Sequence, residues 1–309
     1  MMTRKASTSG EVTEDIVNYY AERAVGPGLV IIEHCFVGLG GQSSDRQLGI
    51  YDDRLVPGWA GLARAVHGKG AAVAAQINHS GSSTTSIVCG VQPIGPSAVR
   101  NPKSASSEVP KAMSVGGIGD IVEAFGKAAG RVVKAGFDGV EVHGAHGFLV
   151  GQFISPLTNH RRDRYGGTLK NRTRFATEVV RRVRAEVGEG FPVLYRLGCD
   201  DMLPGGLTLD EGKEVAKIMV DAGVDVVDVS GGLGGSAPPN PSGQGFFIPQ
   251  AEAVKKVVKV PVIGVGGITT PEFADSVIRD GRADLVAVGR AILNDPTWGM
   301  KAIEALEKT

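Results

Sequence analysis

The chain has 309 residues, 33 of them basic and 33 acidic, and 42% of it is apolar. Zero formal net charge argues against a nucleic-acid or membrane-surface partner, and no apolar run reaches the ~18 residues of a membrane span. Three scattered cysteines, Cys35, Cys89 and Cys199, form no C-x-x-C pair, which argues against zinc and iron–sulfur sites.

The amino terminus, MMTRKASTSGEVTEDI, lacks the apolar core of a signal peptide, and a soluble cytoplasmic protein is expected. In chain order, residues 12–24 predict a helix, 28–37 (GLVIIEHCFV) a buried strand, 56–68 a helix and 71–79 (AAVAAQINH) a strand. A Pro/Ser-rich loop runs through 90–116, followed by a helix over about 118–135 and the strand GVEVHGA. Then come a long polar loop ending at Tyr165-Gly166-Gly167, a helix (170–188), the strand 192–198 (PVLYRLG) and a helix (208–222). Strand 224–232, a helix near 249–258, strand 261–267, a helix (271–281), strand 283–290 and a terminal helix complete the chain. Strands alternating with helices imply a parallel sheet. The length suits a (β/α)8 barrel of about 250 residues with insertions. Yet seven strands are read where eight would close a barrel, and the first element is a helix.

The stretch 139–167, GVEVHGAHGFLVGQFISPLTNHRRDRYGG, is the richest in chemistry. His143 and His146 lie three apart, so on a straight strand they would face opposite ways. They share a pocket only if the backbone turns, which Gly144 and Gly147 would make cheap. His34, His79, His143 and His146 all fall at the carboxyl ends of predicted strands, where such barrels carry active sites. One such histidine usually serves its local backbone; four in register point to a site. A metal is not expected, because the set lacks a carboxylate or thiolate at ligand spacing. Arg196, among apolar neighbours, requires an anion or strong acceptor, and Glu141 or Asp200 could supply it. The last two strands end in GVGGI and AVGRAI, Gly turns that present free N–H groups to an anion. Gly266, Gly267, Gly289 and Arg290 are therefore the expected phosphate ligands, at the position where these barrels commonly bind phosphate. They do not form a dinucleotide-binding G-x-G-x-x-G fingerprint.

The string VEVHGAHGFLVGQFISPLTNHRRDRYGGTLKNRTRF resembles the fourth strand and following loop of the Old Yellow Enzyme family of FMN-dependent ene-reductases. The resemblance extends over essentially the whole chain. It implies one (β/α)8 TIM-type barrel over residues 1–309, non-covalent FMN and NAD(P)H as co-substrate. His143 and His146 would then hold the oxygen of an α,β-unsaturated carbonyl, with Phe148 lining the same site. Gln76 would pair with the flavin pyrimidine edge, and Arg196 would face N1 and the C2 oxygen. Met1 and Met2 align with the end of a family strand, carrying a Pro-Met pair, that lines the flavin. The first barrel strand is thus expected to be missing, through a shortened gene model or a truncated form, or because this barrel lacks it and leaves an edge open. Neither the cysteine cluster nor the further redox domains of some relatives are expected.

Two positions depart from the family. Phe148 stands where a tyrosine usually donates the proton to the substrate Cα. His34 stands where many relatives carry a small residue against the flavin, although a branch has histidine; it would contact cofactor or substrate, or take over as acid. Asn159, Arg161, Asp163 and Tyr165 match a structural loop with an Arg–Asp lock. The expected partner is a small-molecule acceptor, and a homo-oligomer is expected. Two alternatives remain: a flavin NAD(P)H:acceptor reductase or dehydrogenase without ene-reductase activity, which Phe148 favours, and a flavin-free barrel isomerase or lyase for a phosphorylated metabolite, against which Arg196 and Gln76 argue.

Overall fold

A computed structural model describes residues 2–103 and 108–308. Seven parallel strands form its sheet: β1 (Leu29–Phe36), β2 (Ala72–Asn78), β3 (Gly139–Gly144), β4 (Val193–Gly198), β5 (Val226–Ser230), β6 (Val262–Gly264) and β7 (Leu285–Val286). Each pairs with the next in sequence order, the winding of an α/β barrel. The main helices are α1 (Glu14–Arg23), α2 (Val56–His67), α3 (Val115–Lys134), α4 (Arg174–Val187), α5 (Leu209–Asp221), α6 (Ile248–Lys255), α7 (Pro271–Arg279) and α8 (Trp298–Leu306). Among the described residues, no helix is long and apolar enough to cross a membrane.

The strand pattern explains what lies on each side. Val73, Ala75 and Ile77 of β2, Val140 and Val142 of β3, Val193, Tyr195 and Leu197 of β4, and Val227 and Val229 of β5 are buried in one core. That core also holds Phe125, Ala128 and Val132 of α3 and Phe175, Val179 and Val183 of α4. The alternate residues face the barrel interior. Ile31, Leu194, Val226 and Ile263 form an apolar floor there. Further along β1 to β5 the interior turns polar, with Glu33, Gln76, Glu141, Arg196 and Asp228, whereas Val265 after β6 stays in the apolar cluster.

The ladder is not closed. Among the described residues β2 is the one strand that pairs with β1, whose outer edge makes a single bridge from Phe36 to Gly49, and β7 pairs only with β6, so most of β1's outer edge and that of β7 are free. Leu29 and Leu285 on those edges are 37% and 47% exposed. β7 keeps only the two positions that β6 pairs, Ile263↔Leu285 and Gly264↔Val286, and is far shorter than the predicted 283–290. The predicted loop 90–116 contains a short parallel pairing of Ile94–Gly95 with Lys111–Ala112. Helix α3 starts at Val115 because the Ser114 hydroxyl caps it, accepting from Gly117 N.

Candidate active site

At the carboxyl end of β3 the chain makes the turn that brings two imidazoles together. The residues that make it differ from expectation. Gly144 stays in the strand, where any side chain would collide with the Tyr195 hydroxyl beneath it. His146 itself takes the left-handed conformation, φ 57°, followed by Gly147 at φ 73°. Such a backbone costs a non-glycine residue roughly 1–3 kcal/mol and persists only where its surroundings hold it. Here His146 N donates to Gly231 O at 3.1 Å. The Gly147 carbonyl accepts from Ser83 Oγ at 2.5 Å and Gln152 Nε2 at 2.7 Å.

The His143 and His146 rings then lie 5.1 Å apart, nearly perpendicular. Their hydrogen bonds set their tautomers. His143 Nδ1 accepts from Ala145 N at 3.4 Å, which leaves the proton on Nε2. His146 Nε2 lies 2.7 Å from Ser230 Oγ. Arg196 Nη2, which can only donate, approaches the same hydroxyl at 3.4 Å. The Arg196 contact favours the orientation in which the Ser230 hydroxyl donates to His146 Nε2, and in that arrangement His146 carries its own proton on Nδ1. Burial, the largest cause, holds both histidines well below the ordinary imidazole range, with Arg196 adding to the effect. The result is two neutral imidazoles, each with one N–H to give.

Two further rings complete the cluster. His34 lies 5.7 Å from His143, and Phe148 lies 4.9 Å from His34 and 5.0 Å from His143. His34 Nδ1 accepts from the amides of Gln47 at 2.9 Å and Asn78 at 3.3 Å, so its Nε2 is the donor. Burial pushes this imidazole down to about 3. A cavity of about 360 Å³ opens beside them, lined among others by Met2, His34, Asn101, His146, Phe148 and Leu233. Met2 is anchored there, its sulfur accepting from Ser44 Oγ at 2.9 Å, while Met1 lies outside the described residues. His79 does not join this group. Its Nδ1 accepts from Gly81 N at 3.0 Å and its ring packs on Gly41, a local structural role.

Behind the histidines lies the polar interior layer. Arg196 Nη1 pairs with Asp228 Oδ2 at 2.6 Å, not with Glu141 or Asp200. Asp200 instead accepts from Met202 N at 2.6 Å. The Gln76 amide donates to Glu141 Oε2, and the Glu141 carboxyl is pushed up to about 8, first by burial and then by the Asp228 charge. Arg196 Nε is buried and has no hydrogen-bond partner among the described residues. Gln47, Asn78, Asp228 and Ser230 are site residues that sequence reasoning missed. Asp228 and Ser230 carried a signal, polar residues at i and i+2 on the interior face of an apolar strand; Gln47 carried none. Asp201 was missed too. It is 2% exposed and accepts from Leu233 N at 2.7 Å, Ser155 Oγ at 2.6 Å and Leu207 N at 2.8 Å, which fixes the loop that lines the cavity.

The four expected phosphate ligands lie at the ends of β6 and β7. Gly266 and Gly267 have φ of 131° and 66°, and side chains there would collide with Phe246. The Arg290 guanidinium lies 5.4 Å from the centre of the same Phe246 ring. Gly289 caps the short helix Arg290–Asn294. Arg290 is exposed and forms no ion pair among the described residues, as suits a cation awaiting an anion. Together with the unpartnered Arg196 N–H, these features fit a phosphorylated flavin: a cation and Gly turns for its phosphate, a guanidinium and an amide for its polar edge. Arg161 donates to both carboxylate oxygens of Asp163, at 3.0 and 2.6 Å, and to Pro96 O and Met113 O, a structural lock away from the rings.

Comparison with known proteins agrees with this geometry. The pattern of the NADH:flavin oxidoreductase / NADH oxidase family matches residues 1–309. The chain is 44% identical over 311 residues to an NADH oxidase of Thermoanaerobacter brockii, covering 98% of this chain and 48% of that protein. It is 40% identical over 292 residues to an NADPH dehydrogenase of Geobacillus sp. (strain WCH70), covering 94% and 84%. The chain thus spans about half the length of the first relative and most of the second. A 2-naphthoyl-CoA reductase solved with 2-naphthoyl-CoA superposes with a TM-score of 0.92 at 28% identity, over 98% of this chain and 48% of that one. An Old Yellow Enzyme homologue from Zymomonas mobilis gives 0.86 at 29%, over 99% and 87%.

Proposed function

Because the chain belongs to the NADH:flavin oxidoreductase / NADH oxidase family, an FMN-dependent family that uses NAD(P)H, we propose that it passes hydride from NAD(P)H to an electron-poor double bond such as an α,β-unsaturated carbonyl. A bound FMN would supply the hydride-carrying chemistry between nicotinamide and acceptor. The observation that carries the acceptor class is the pair of neutral imidazoles, His146 with its proton on Nδ1 lining the cavity and His143 with its proton on Nε2 packed against the His34 and Phe148 that line it. Two fixed N–H donors at one carbonyl oxygen stabilise the negative charge that develops there. Being neutral, they do so without drawing an anion into the site beforehand. Arg196 and Gln76 would hold the flavin's pyrimidine edge, and Gly266, Gly267, Gly289 and Arg290 would hold its phosphate. The flavin-free isomerase reading falls with the family assignment.

Phe148 and His34 favour a second reading, an acceptor reductase that does not reduce ordinary enones. A phenyl ring cannot protonate Cα, and burial pushes the His34 imidazole down to about 3, which favours a neutral, ligand-orienting role over that of the acid. The test is acceptor turnover of His143→Ala and His146→Ala with flavin content measured alongside. Each variant should keep its FMN and lose about 10²–10³-fold in enone turnover, the usual cost of one such donor. Full enone turnover in both would refute the carbonyl role.

The free edges of β1 and β7 support a further element of this reading, that an eighth strand belongs between them. Thr3 N already donates to Glu33 Oε2 at 2.9 Å at the carboxyl end of this slot. An upstream-extended form should retain FMN more tightly; equal occupancy would show that the slot is not used.

A further inference from the structure

Two carboxyls, one amide and one guanidinium point into the interior from four adjacent strands, with Glu141 beside Leu194 and Arg196 beside His143 in register. Register pairs Gln76 with Glu141 and Arg196 with Asp228. Glu141 and Asp228 are both 0% exposed. Beneath Arg196 and Asp228, Leu194 and Val226 belong to the apolar floor. Each carboxyl has one oxygen engaged, Glu141 by the Gln76 amide and Asp228 by Arg196 Nη1. The other oxygens, Glu141 Oε1 and Asp228 Oδ1, are buried, and no N–H or hydroxyl of the described residues reaches them. Each of the two carboxyls thus keeps one unpartnered oxygen inside a cluster that holds a single guanidinium. Ionising both beside that guanidinium would leave a net negative charge enclosed in the barrel, whereas one retained proton leaves the cluster neutral.

We propose that Glu141 and Asp228 share one proton, and that this pair sets how much of the Arg196 charge is available to the flavin, making both of them positioning residues for its redox balance. The inference rests on the reading that the flavin's pyrimidine edge lies against Arg196. The Arg196 side chain is 19% exposed, so its charge reaches the side from which a ligand would approach. A flavin gains negative charge there when it is reduced. With one proton on the pair, Asp228 offsets the guanidinium and Glu141 adds no charge.

The experiment measures the two-electron midpoint potential of FMN-loaded wild type, Glu141→Gln and Glu141→Gln/Asp228→Asn, with flavin content recorded and the carboxylic-acid C=O stretch followed by infrared difference spectroscopy on the apoproteins. The neutral amide introduced by Glu141→Gln mimics the protonated carboxyl, so the single variant should lie within threefold of wild type in the reduced-to-oxidised ratio. The double variant leaves Arg196 uncompensated and should favour the reduced flavin at least tenfold, about 30 mV for a two-electron couple. The apoprotein should show an acid C=O band that Glu141→Gln removes. A tenfold shift from Glu141→Gln alone, or no such band, would overturn the shared proton. An unchanged potential in a flavin-loaded double variant would overturn the tuning. If wild type binds no FMN, the functional reading and the tuning both fall, while the infrared band still decides whether the proton is shared.

Discussion

Replacing Ser230 with alanine should separate the two histidines, because only His146 depends on that hydroxyl for its tautomer. The bond removed is the 2.7 Å contact between Ser230 Oγ and His146 Nε2. The Arg196 contact at 3.4 Å is long for an N–H···O bond, so it biases the hydroxyl's orientation but adds little energy of its own. A buried hydrogen bond of this type is worth about 0.5–1.5 kcal/mol net, and about 1.4 kcal/mol is a factor of ten. Without it the two tautomers of His146 approach equal weight, and the Nδ1–H form is present only part of the time. The expected loss in acceptor turnover is therefore at most about twofold, well short of the ~10²–10³-fold expected when the donor itself is deleted. Flavin content should be unchanged. Ser230→Thr, which keeps a hydroxyl, should recover most of the loss. Steady-state kinetics with one enone on Ser230→Ala, Ser230→Thr and His146→Ala supply the comparison. If Ser230→Ala is as damaging as His146→Ala, the hydroxyl does not merely set the tautomer.

Phe148→Tyr should raise enone turnover by supplying a phenol from a ring whose centre lies 4.9 Å from His34 and 5.0 Å from His143, with about 10²–10⁴-fold as the ceiling for a general acid; flavin reduction by NAD(P)H should not change, and no gain in turnover would show that another donor is in place. Arg290→Glu should cut FMN affinity at least tenfold by setting a carboxylate against the phosphate, and wild-type flavin content in that variant would remove Arg290 from the site. Glu141, pushed up to about 8 from an ordinary 4.5, binds its proton more tightly in the folded chain than in the unfolded one. Its contribution to stability is thus full below about pH 4.5 and is lost as pH rises to about 8, by up to about 1.4 kcal/mol per pH unit. Urea denaturation should show wild type losing stability relative to Glu141→Gln across that window; parallel curves would mean that Glu141 is ionised throughout.

Much of the site was legible because strands declare their interior face by alternation. Arg196 was visible as a buried cation inside an apolar strand, and the histidines as residues at strand ends. Its partner was not, because choosing Asp228 over Glu141 or Asp200 requires the register between β4 and β5, which no local pattern carries. The turn at His146 was misplaced for a similar reason: glycine is the default left-handed residue, yet contacts from Ser83, Gln152 and Gly231 hold a histidine there. His79 has the same local pattern as His34 and only its packing on Gly41 sets it apart. Gln47 reaches His34 from a loop without periodicity, so nothing in the sequence marked it.

The most direct test is an anaerobic absorbance titration of the FMN-loaded chain. One equivalent of NADH or NADPH should bleach the flavin, and an electron-poor alkene should restore its colour in equal amount. A chain that binds no FMN, or whose bound flavin neither nicotinamide reduces, would contradict the proposed activity.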